Sequence, residues 1–216
     1  MTEIKACLFD LDGVIVDTAK YHFIAWRELA SELGFEFTEK DNERLKGVSR
    51  MASLDILLEV GGISLPIEKK EQLAKEKNER YVSYIIKMTP DEILPGVIDF
   101  LKGIRKSEIK TAIGSASKNT PIILERLELS SYFDAVIDGN KVSNAKPDPE
   151  VFLKGAEALN VLPSECVVFE DAAAGIEAAI NGGMRCIGVG HPDILGRANL
   201  VIPGFENFTM TQLLKL

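Results

Sequence analysis

Short apolar runs alternate along the chain with segments in which apolar residues recur at helical spacing. The apolar runs, which predict β-strands, lie at residues 4–9, 110–114, 135–138, 166–169, 185–189 and 200–202. The helical segments between them lie at residues 97–106, 120–127, 149–159 and 173–181. Strands that are apolar throughout and separated by helices are typical of βαβ units. The pattern therefore predicts an α/β fold, a doubly wound, Rossmann-like parallel sheet with helices on both faces.

Residues 17–91 interrupt this alternation with a pattern that is helical only. Helical spacing runs through residues 21–33, 51–60 and 67–86, and no convincing strand lies between them. Residues 68–80 are rich in Lys and Glu, which predicts a solvent-facing helix surface. We therefore expect a small all-helical domain, residues 17–91, inserted into a catalytic α/β core formed by residues 1–16 and 92–216.

The composition is that of a globular protein with an acidic balance. The chain has 216 residues, of which 46% are hydrophobic and 27% charged, which excludes disordered, collagen-like and coiled-coil classes. The net charge is −8, and no stripe of Lys and Arg is present. We therefore expect no nucleic-acid partner and no anionic membrane partner. An anionic substrate would have to be held by local basic residues.

The cysteines and the apolar runs bear on the compartment. Cys7, Cys166 and Cys186 each lie in or beside an apolar run, which favours buried core residues over metal ligands or nucleophiles. The chain opens without a cleavable signal pattern, because its first residues are polar and two aspartates interrupt the apolar run that follows. No run approaches the roughly 18 apolar residues that span a bilayer. We therefore expect a cytoplasmic protein.

The first predicted strand runs directly into two aspartates, Asp10 and Asp12, which are followed by Gly13. In open α/β sheets, ligands bind at the carboxyl ends of the strands. Two like charges so close together are unfavourable unless a cation or a proton intervenes. Asp-Gly is also a common turn dipeptide, so the pair fits either a functional site or a simple strand-to-loop turn.

Polar residues also follow two later strands and occupy one proline-fixed turn. Glu170 and Asp171 follow the fourth strand, Ser115 follows the second, and Lys146 lies in the turn. Together with Asp10, the two acids offer the oxygen ligands that Mg²⁺ prefers, and Ser115 offers a hydroxyl that can hold a phosphoryl group. The alternatives are structural: an N-cap role for Asp171, helix capping for Ser115 and a surface position for Lys146.

Taken together, these motifs resemble the haloacid dehalogenase-like superfamily over essentially the whole chain. The resemblance rests on Asp-x-Asp-Gly-Val at residues 10–14, on Ser115, on Lys146 before a proline and on the pair Glu170 and Asp171. The inserted helical segment is similar to the small cap domain of that superfamily. The resemblance implies phosphoryl transfer, because a dehalogenase of this superfamily needs neither the second acid nor a metal.

Within the superfamily, the chain resembles the β-phosphoglucomutase branch. This second resemblance rests on residues 46–50, on residues 115–119, and on His22 and Trp26 in the first helix of the inserted segment. Sugar-phosphate phosphatases of the same superfamily share much of this set. The sequence is therefore compatible both with the β-phosphoglucomutase branch and with its phosphatase relatives.

The resemblance implies a role for each residue of the core motifs. Asp10 matches the nucleophile that becomes an aspartyl phosphate, and Asp12 matches the general acid–base residue. Ser115 and Lys146 would hold the transferring phosphoryl oxygens, and Lys146 would also neutralise Asp10. The implied ligands of Mg²⁺ are Asp10, the backbone carbonyl of Asp12, and Asp171, with Glu170 either ligating or supporting.

The resemblance also implies a sugar-phosphate site. Arg50 would hold the phosphate that is not transferred, and Lys77 and His22 match residues associated with cap closure and with the positioning of Asp12. The full set of implied substrate-binding residues is His22, Trp26, Gly47, Val48, Ser49, Arg50, Lys77, Ala116, Ser117, Lys118 and Asn119. The alternatives are a half-buried helix position for His22, a solvated position for Lys77 and packing inside the cap for Trp26.

The branch implies reversible conversion of β-D-glucose 1-phosphate to glucose 6-phosphate, with β-glucose 1,6-bisphosphate as intermediate and activator. The expected partner is a small-molecule sugar phosphate, and the expected state is a monomer. The first alternative is a sugar- or polyol-phosphate phosphatase that uses Asp10 and Asp12 but passes the phosphoryl group to water. The second is a non-catalytic sugar-phosphate-binding protein, which the intact set of Asp10, Asp12, Ser115, Lys146 and Asp171 disfavours.

Overall fold

The computed structural model describes residues 2–45 and 48–216, and the chain divides into two compact units. One unit, here named the core unit, consists of Met1–Asp17 and Thr89–Leu216. The other, here named the cap unit, consists of Thr18–Met88. The predicted assignment of a catalytic core and a cap, with limits at 16/17 and 91/92, stays a prediction.

The elements follow one another as the alternating pattern requires. The strands are β1 Ala6–Phe9, β2 Lys110–Gly114, β3 Ala135–Ile137, β4 Cys166–Glu170, β5 Arg185–Val189 and β6 Leu200–Ile202. The helices are α1 Ala19–Glu32, α2 Glu39–Asn42, α3 Arg50–Val60, α4 Ile67–Ile85, α5 Val97–Lys106, α6 Thr120–Arg126, α7 Glu150–Leu159, α8 Ala173–Asn181, α9 Pro192–Leu195 and α10 Met210–Leu213.

The six strands of the core unit form one parallel sheet in the order β3-β2-β1-β4-β5-β6. Strand β1 is central, and its Ala6 aligns with Lys110 of β2 on one side and with Cys166 of β4 on the other. The strand order reverses between β1 and β4, which is where doubly wound sheets bind their ligands. This topology confirms the predicted doubly wound α/β fold.

Alternate residues of β1 pack against helices on opposite faces of the sheet. Leu8 lies in a buried cluster with Phe152 of α7 and Ile176 of α8. On the other face, Phe9 stacks on Phe169 of β4 with ring centroids 4.7 Å apart, and Phe100 of α5 meets both rings edge-on. Burial on both faces explains why these strands are apolar throughout rather than alternating.

The cap unit is helical and has its own apolar core. Residues from α1, α3 and α4 form one buried cluster, which includes Trp26, Leu54, Leu57 and Ala74. The predicted solvent-facing surface over residues 68–80 is interrupted, because Ala74 and Lys77 of α4 are buried. Helix α4 therefore has a buried face despite its polar composition. The alternative prediction that Lys77 is a solvent-exposed lysine is wrong.

Two further expectations concern burial and membranes. All three cysteines are buried and free, as the sequence predicts for core residues. Among the helices formed by residues 2–45 and 48–216, none has the length and apolar character needed to cross a membrane.

Candidate active site

Strand β1 ends at the point where the sheet order reverses, and the next residues turn the chain sharply. Asp10 is buried, and its backbone N–H donates to the Phe169 carbonyl oxygen at 2.9 Å, so the pairing with β4 continues to this residue. Gly13 has a φ of +78°, which glycine adopts readily, and its N–H donates to the Val16 carbonyl at 2.8 Å. The turn leaves Asp12 half-buried, two residues beyond Asp10.

The end of β4 brings two further carboxylates beside Asp10. Oxygens of Asp10, Glu170 and Asp171 all lie within 4.8 Å of one another. The Lys146 ammonium donates to Asp10 Oδ1 at 2.5 Å and to Glu170 Oε2 at 2.8 Å. The structure thus gathers four of the predicted site residues into one acidic cluster, in which the Lys146 ammonium bridges Asp10 and Glu170.

Burial and charge act against each other in this cluster. Burial raises the pKa of Glu170 above its usual range; Lys146 opposes this shift, whereas Asp10 and Asp171 add to it. Surrounding protein atoms and the charge of Asp10 likewise raise the pKa of Asp171. Burial by itself would lower the pKa of Lys146, but its contacts with Asp10 and Glu170 outweigh burial and raise the pKa above its usual value. Three carboxylates lie around the Lys146 ammonium, so additional positive charge would stabilise their ionised forms.

The donor set fits a hard divalent cation. The ligand atoms are carboxylate oxygens from two adjacent strand ends, and Mg²⁺ is bound in proteins by one or two carboxylates together with water and phosphate oxygens. A cation there would also offset the burial and the repulsion that raise the pKa values of Glu170 and Asp171. The acidic cluster is therefore suited to Mg²⁺. The additional ligand expected from the Asp12 carbonyl stays a prediction.

The structural alternatives for two of these residues are wrong. The N-cap of α8 is Ala172, with no side-chain cap, and it is Glu170 Oε1 that accepts the Ala172 N–H at 3.2 Å. The side chain of Lys146 is only 10% exposed, so Lys146 is not a surface lysine. Both findings leave Asp171 and Lys146 at the carboxyl edge of the sheet.

The loop after β2 is organised around the hydroxyl of Ser115. This side chain is buried, and its Oγ accepts the Ser117 N–H at 3.1 Å, while Ser117 Oγ accepts the Asn119 N–H at 3.2 Å. Ala116 and Lys118 are exposed, whereas Asn119 is buried. The N-cap of α6 is Asn119, so Ser115 does not cap that helix.

Two acidic residues outside the predicted site, Glu150 and Asp148, hold the neighbouring loops. Glu150 Oε2 accepts the N–H groups of Ser143 and Asn144 at 2.9 and 2.7 Å, which ties down the segment leading to Lys146. Asp148 Oδ1 accepts the Glu150 N–H at 2.9 Å and so supports the start of α7. The sequence signal was the acid in the first turn of a helix, a position that favours carboxylates.

The cap unit places three of the predicted substrate-binding residues together. Lys77 Nζ lies 2.7 Å from His22 Nδ1 and 4.4 Å from the centroid of the Trp26 ring. Because an ammonium only donates, His22 Nδ1 must accept, and the imidazole is neutral. The His22 ring also stacks on Tyr81 with centroids 3.9 Å apart. Burial, together with the charges of Lys77 and Arg50, lowers the pKa of His22 well below its usual range.

Two of the remaining predicted cap residues, Ser49 and Arg50, lie at the start of α3. Ser49 is the N-cap, and its hydroxyl accepts the Ala52 N–H at 3.3 Å. Arg50 is the first residue of the helix, and burial lowers its pKa, with Tyr81 opposing this shift. Val48 is exposed. Gly47 lies outside the residues that the structure describes.

Comparison with known proteins agrees with this fold. The family model of haloacid dehalogenase-like hydrolases matches residues 4–183, which carry the acidic cluster and the loops around it. The chain belongs to this family. The matched residues run from β1 to α8.

Individual relatives point to sugar-phosphate chemistry. The chain is 41% identical over 209 residues to a β-phosphoglucomutase of Bacillus subtilis, covering 96% of this chain and 92% of the relative. It is 36% identical to a phosphorylated carbohydrates phosphatase of Thermotoga maritima, covering 91% and 90%. A crystal structure of β-phosphoglucomutase from Clostridium difficile superposes with a TM-score of 0.92 at 44% identity, covering 98% and 96%.

Proposed function

We propose that this chain is an enzyme that reversibly converts β-D-glucose 1-phosphate to glucose 6-phosphate through β-glucose 1,6-bisphosphate. The observation that carries the proposal is the cluster in which Lys146 bridges Asp10 and Glu170 beside Asp171. Such a cluster suits phosphoryl transfer, where catalysis consists of positioning and charge stabilisation. The similarity to relatives named β-phosphoglucomutase supports the choice of sugar phosphate.

Asp10 is the proposed nucleophile. Its phosphorylated form transfers the phosphoryl group to the 6-hydroxyl of the bound sugar, and that hydroxyl gives its proton to Asp12. The resulting bisphosphate then reorients in the site. A carboxylate oxygen of Asp10 attacks the other phosphorus, the phosphorus–oxygen bond to carbon 1 breaks, and Asp12 returns the proton to the departing oxygen. Asp10 ends phosphorylated again, so the bisphosphate is the intermediate of the cycle. It is also the activator, because the free Asp10 carboxylate first acquires its phosphoryl group by attacking a bisphosphate, which leaves as the monophosphate.

The other core residues have electrostatic duties in this proposal. Lys146 neutralises Asp10 and, with Ser115, holds the oxygens of the transferring phosphoryl group. Asp10, the Asp12 carbonyl, Glu170 and Asp171 would hold Mg²⁺, which supplies positive charge to phosphoryl oxygens. The position of Lys146, within hydrogen-bond reach of the proposed nucleophile, supports its part in charge neutralisation.

The substrate-binding residues of the proposal come from both units. Arg50 would hold the phosphate that is not transferred, because a guanidinium can bind phosphate through two parallel hydrogen bonds. The other members of the set are His22, Trp26, Gly47, Val48, Ser49, Lys77, Ala116, Ser117, Lys118 and Asn119. The contact between Lys77 and His22 supports a shared role for those two side chains.

We propose further that the enzyme works as a cytoplasmic monomer on a small-molecule substrate. Three free, buried thiols are compatible with a reducing compartment. The acidic net charge gives no basis for a nucleic-acid partner.

The second candidate function is a sugar-phosphate phosphatase, which the 36% identity to the Thermotoga maritima phosphatase favours. Phosphorus NMR of the protein with Mg²⁺, β-glucose 1-phosphate and a trace of bisphosphate separates the two. We expect glucose 6-phosphate to accumulate with little inorganic phosphate. Steady release of inorganic phosphate without isomerised product would instead establish the phosphatase.

Arg50 provides a sharper test of the mutase. A mutase must hold either phosphate of the bisphosphate at the distal position, so Arg50→Ala should reduce isomerisation severely. Hydrolysis of acetyl phosphate, which has no distal phosphate, should fall much less. Arg50→Lys should recover only part of the loss, because a point charge does not reproduce the planar fork. An equal loss of both activities, or of neither, would contradict the assignment of Arg50.

A further inference from the structure

Two glycines face the acidic cluster at positions where any side chain would overlap a carboxylate. A Cβ atom on Gly175 would lie 2.0 Å from Glu170 Cδ and 2.2 Å from Glu170 Oε2. A Cβ atom on Gly13 would lie 2.0 Å from Asp171 Oδ2. These separations are far below van der Waals contact. The Glu170 carboxylate therefore packs directly against the backbone of Gly175, and the Asp171 carboxylate packs against the backbone of Gly13.

Glu170 has little freedom to move away from Gly175. Its side chain is 2% exposed. Oε2 accepts a hydrogen bond from Lys146 at 2.8 Å, and Oε1 accepts the Ala172 N–H at 3.2 Å. A methyl group at position 175 would therefore have to displace the carboxylate from both partners or shift the first turn of α8.

The backbone itself does not require glycine at position 175. Gly175 lies within α8, where its φ is helical, and alanines occupy the two preceding positions. Glycine is less favourable than alanine inside a helix. The close approach of Glu170 is the feature that accounts for glycine here. Gly13, by contrast, has a φ of +78° and so has a second reason to be glycine.

We propose that Gly175 is a positioning residue for the Mg²⁺ site, because its missing side chain fixes where the Glu170 carboxylate lies relative to Asp10 and Asp171. Gly13 has the same relation to the Asp171 carboxylate. The inference rests on the proposed binding of Mg²⁺ by this cluster, and it does not depend on whether the reaction is isomerisation or hydrolysis.

The test is calorimetric titration of the full chain with Mg²⁺ alone, without sugar phosphate. We expect Gly175→Ala to bind Mg²⁺ about tenfold to a hundredfold more weakly, the usual effect of losing support for a metal ligand. Gly155→Ala is the matched control: it is also a helix glycine, and its Cβ would lie 2.7 Å from Leu8 Cδ2 in the apolar core. That variant should lose stability towards urea without changing Mg²⁺ affinity.

A second pair of variants keeps the inference testable if Gly175→Ala does not fold. Glu170→Ala removes the atoms that the new methyl group would overlap. Adding Gly175→Ala to that background should therefore weaken neither folding nor Mg²⁺ binding further, and the better helix propensity of alanine should if anything raise stability. The inference is overturned if Gly175→Ala binds Mg²⁺ within twofold of the unsubstituted chain, or if the double variant is impaired beyond Glu170→Ala. A chain that binds Mg²⁺ as expected but fails to isomerise would overturn the proposed mutase function and leave this inference standing.

Discussion

Replacing His22 by glutamine should flatten the acid side of the stability profile. The folded protein keeps His22 neutral, because burial and the charges of Lys77 and Arg50 hold the pKa of this half-buried imidazole well below its usual range. The unfolded chain takes up the proton near pH 6.5, so protonation favours the unfolded state as the pH falls. Between pH 7.5 and 5.5 this linkage should cost about 1.4 kcal/mol of unfolding free energy. Glutamine can still accept a hydrogen bond from Lys77 but does not titrate.

Urea unfolding followed by the fluorescence of Trp26, the single tryptophan, reports on the cap unit that contains His22. The acids of the core unit titrate in both proteins, so the difference between unsubstituted chain and variant isolates His22. His191→Gln is the control, because His191 is exposed, and it should keep the unsubstituted profile. If His22→Gln lost as much stability at pH 5.5 as the unsubstituted chain, or if NMR found the His22 ring titrating near pH 6.5, the argument from burial would be refuted.

Three further predictions concern the core unit. Asp10→Asn should lower turnover by several orders of magnitude, while its resistance to unfolding by urea is retained. Near-normal turnover would exclude the covalent mechanism. Asp12→Asn should lower turnover by at least about 10²–10⁴-fold, yet weaken Mg²⁺ binding in calorimetry less than Asp171→Asn does; the reverse order would contradict the assignment. Lys146→Met removes the ammonium from beside three carboxylates, so in Mg²⁺-free buffer the free energy of unfolding measured with urea should fall by about 3–5 kcal/mol at pH 8. The loss should be smaller at pH 5, where the acids can bind protons. Equal losses at the two pH values would argue against the charge cluster.

Most of the sheet could be predicted because its strands are buried on both faces. Strands at residues 110–114, 185–189 and 200–202 have the predicted bounds, whereas β1 begins at Ala6 rather than residue 4. The helices α2, α9 and α10 were missed, because four residues are too few for a periodic pattern. A local signal existed for α2, where Thr38 and Asp41 form a capping box.

The part of the candidate site that could be predicted from local pattern consists of the residues that directly follow strands. The acids Asp10, Glu170 and Asp171 follow apolar runs, and parallel strands bring such ends together. The contact between Lys77 and His22 could not be derived from local pattern, because it joins helices 55 residues apart along the chain. Nothing in a Lys- and Glu-rich segment distinguishes the one lysine that turns inward, since packing against another helix decides its burial.

The central position of β1 has a consequence for the order in which the protein is made. Its neighbour β4 begins 160 residues later, at Cys166 opposite Ala6, and the cap unit is synthesised in between. Contacts of such long sequence separation form late, because chain closure must precede them. Most of the chain must therefore have been synthesised before Asp10 can come into contact with Glu170 and Asp171. An incomplete nascent chain therefore carries Asp10, the proposed nucleophile, without Glu170 and Asp171, and the proposed phosphoryl transfer would have to wait until the sheet is assembled.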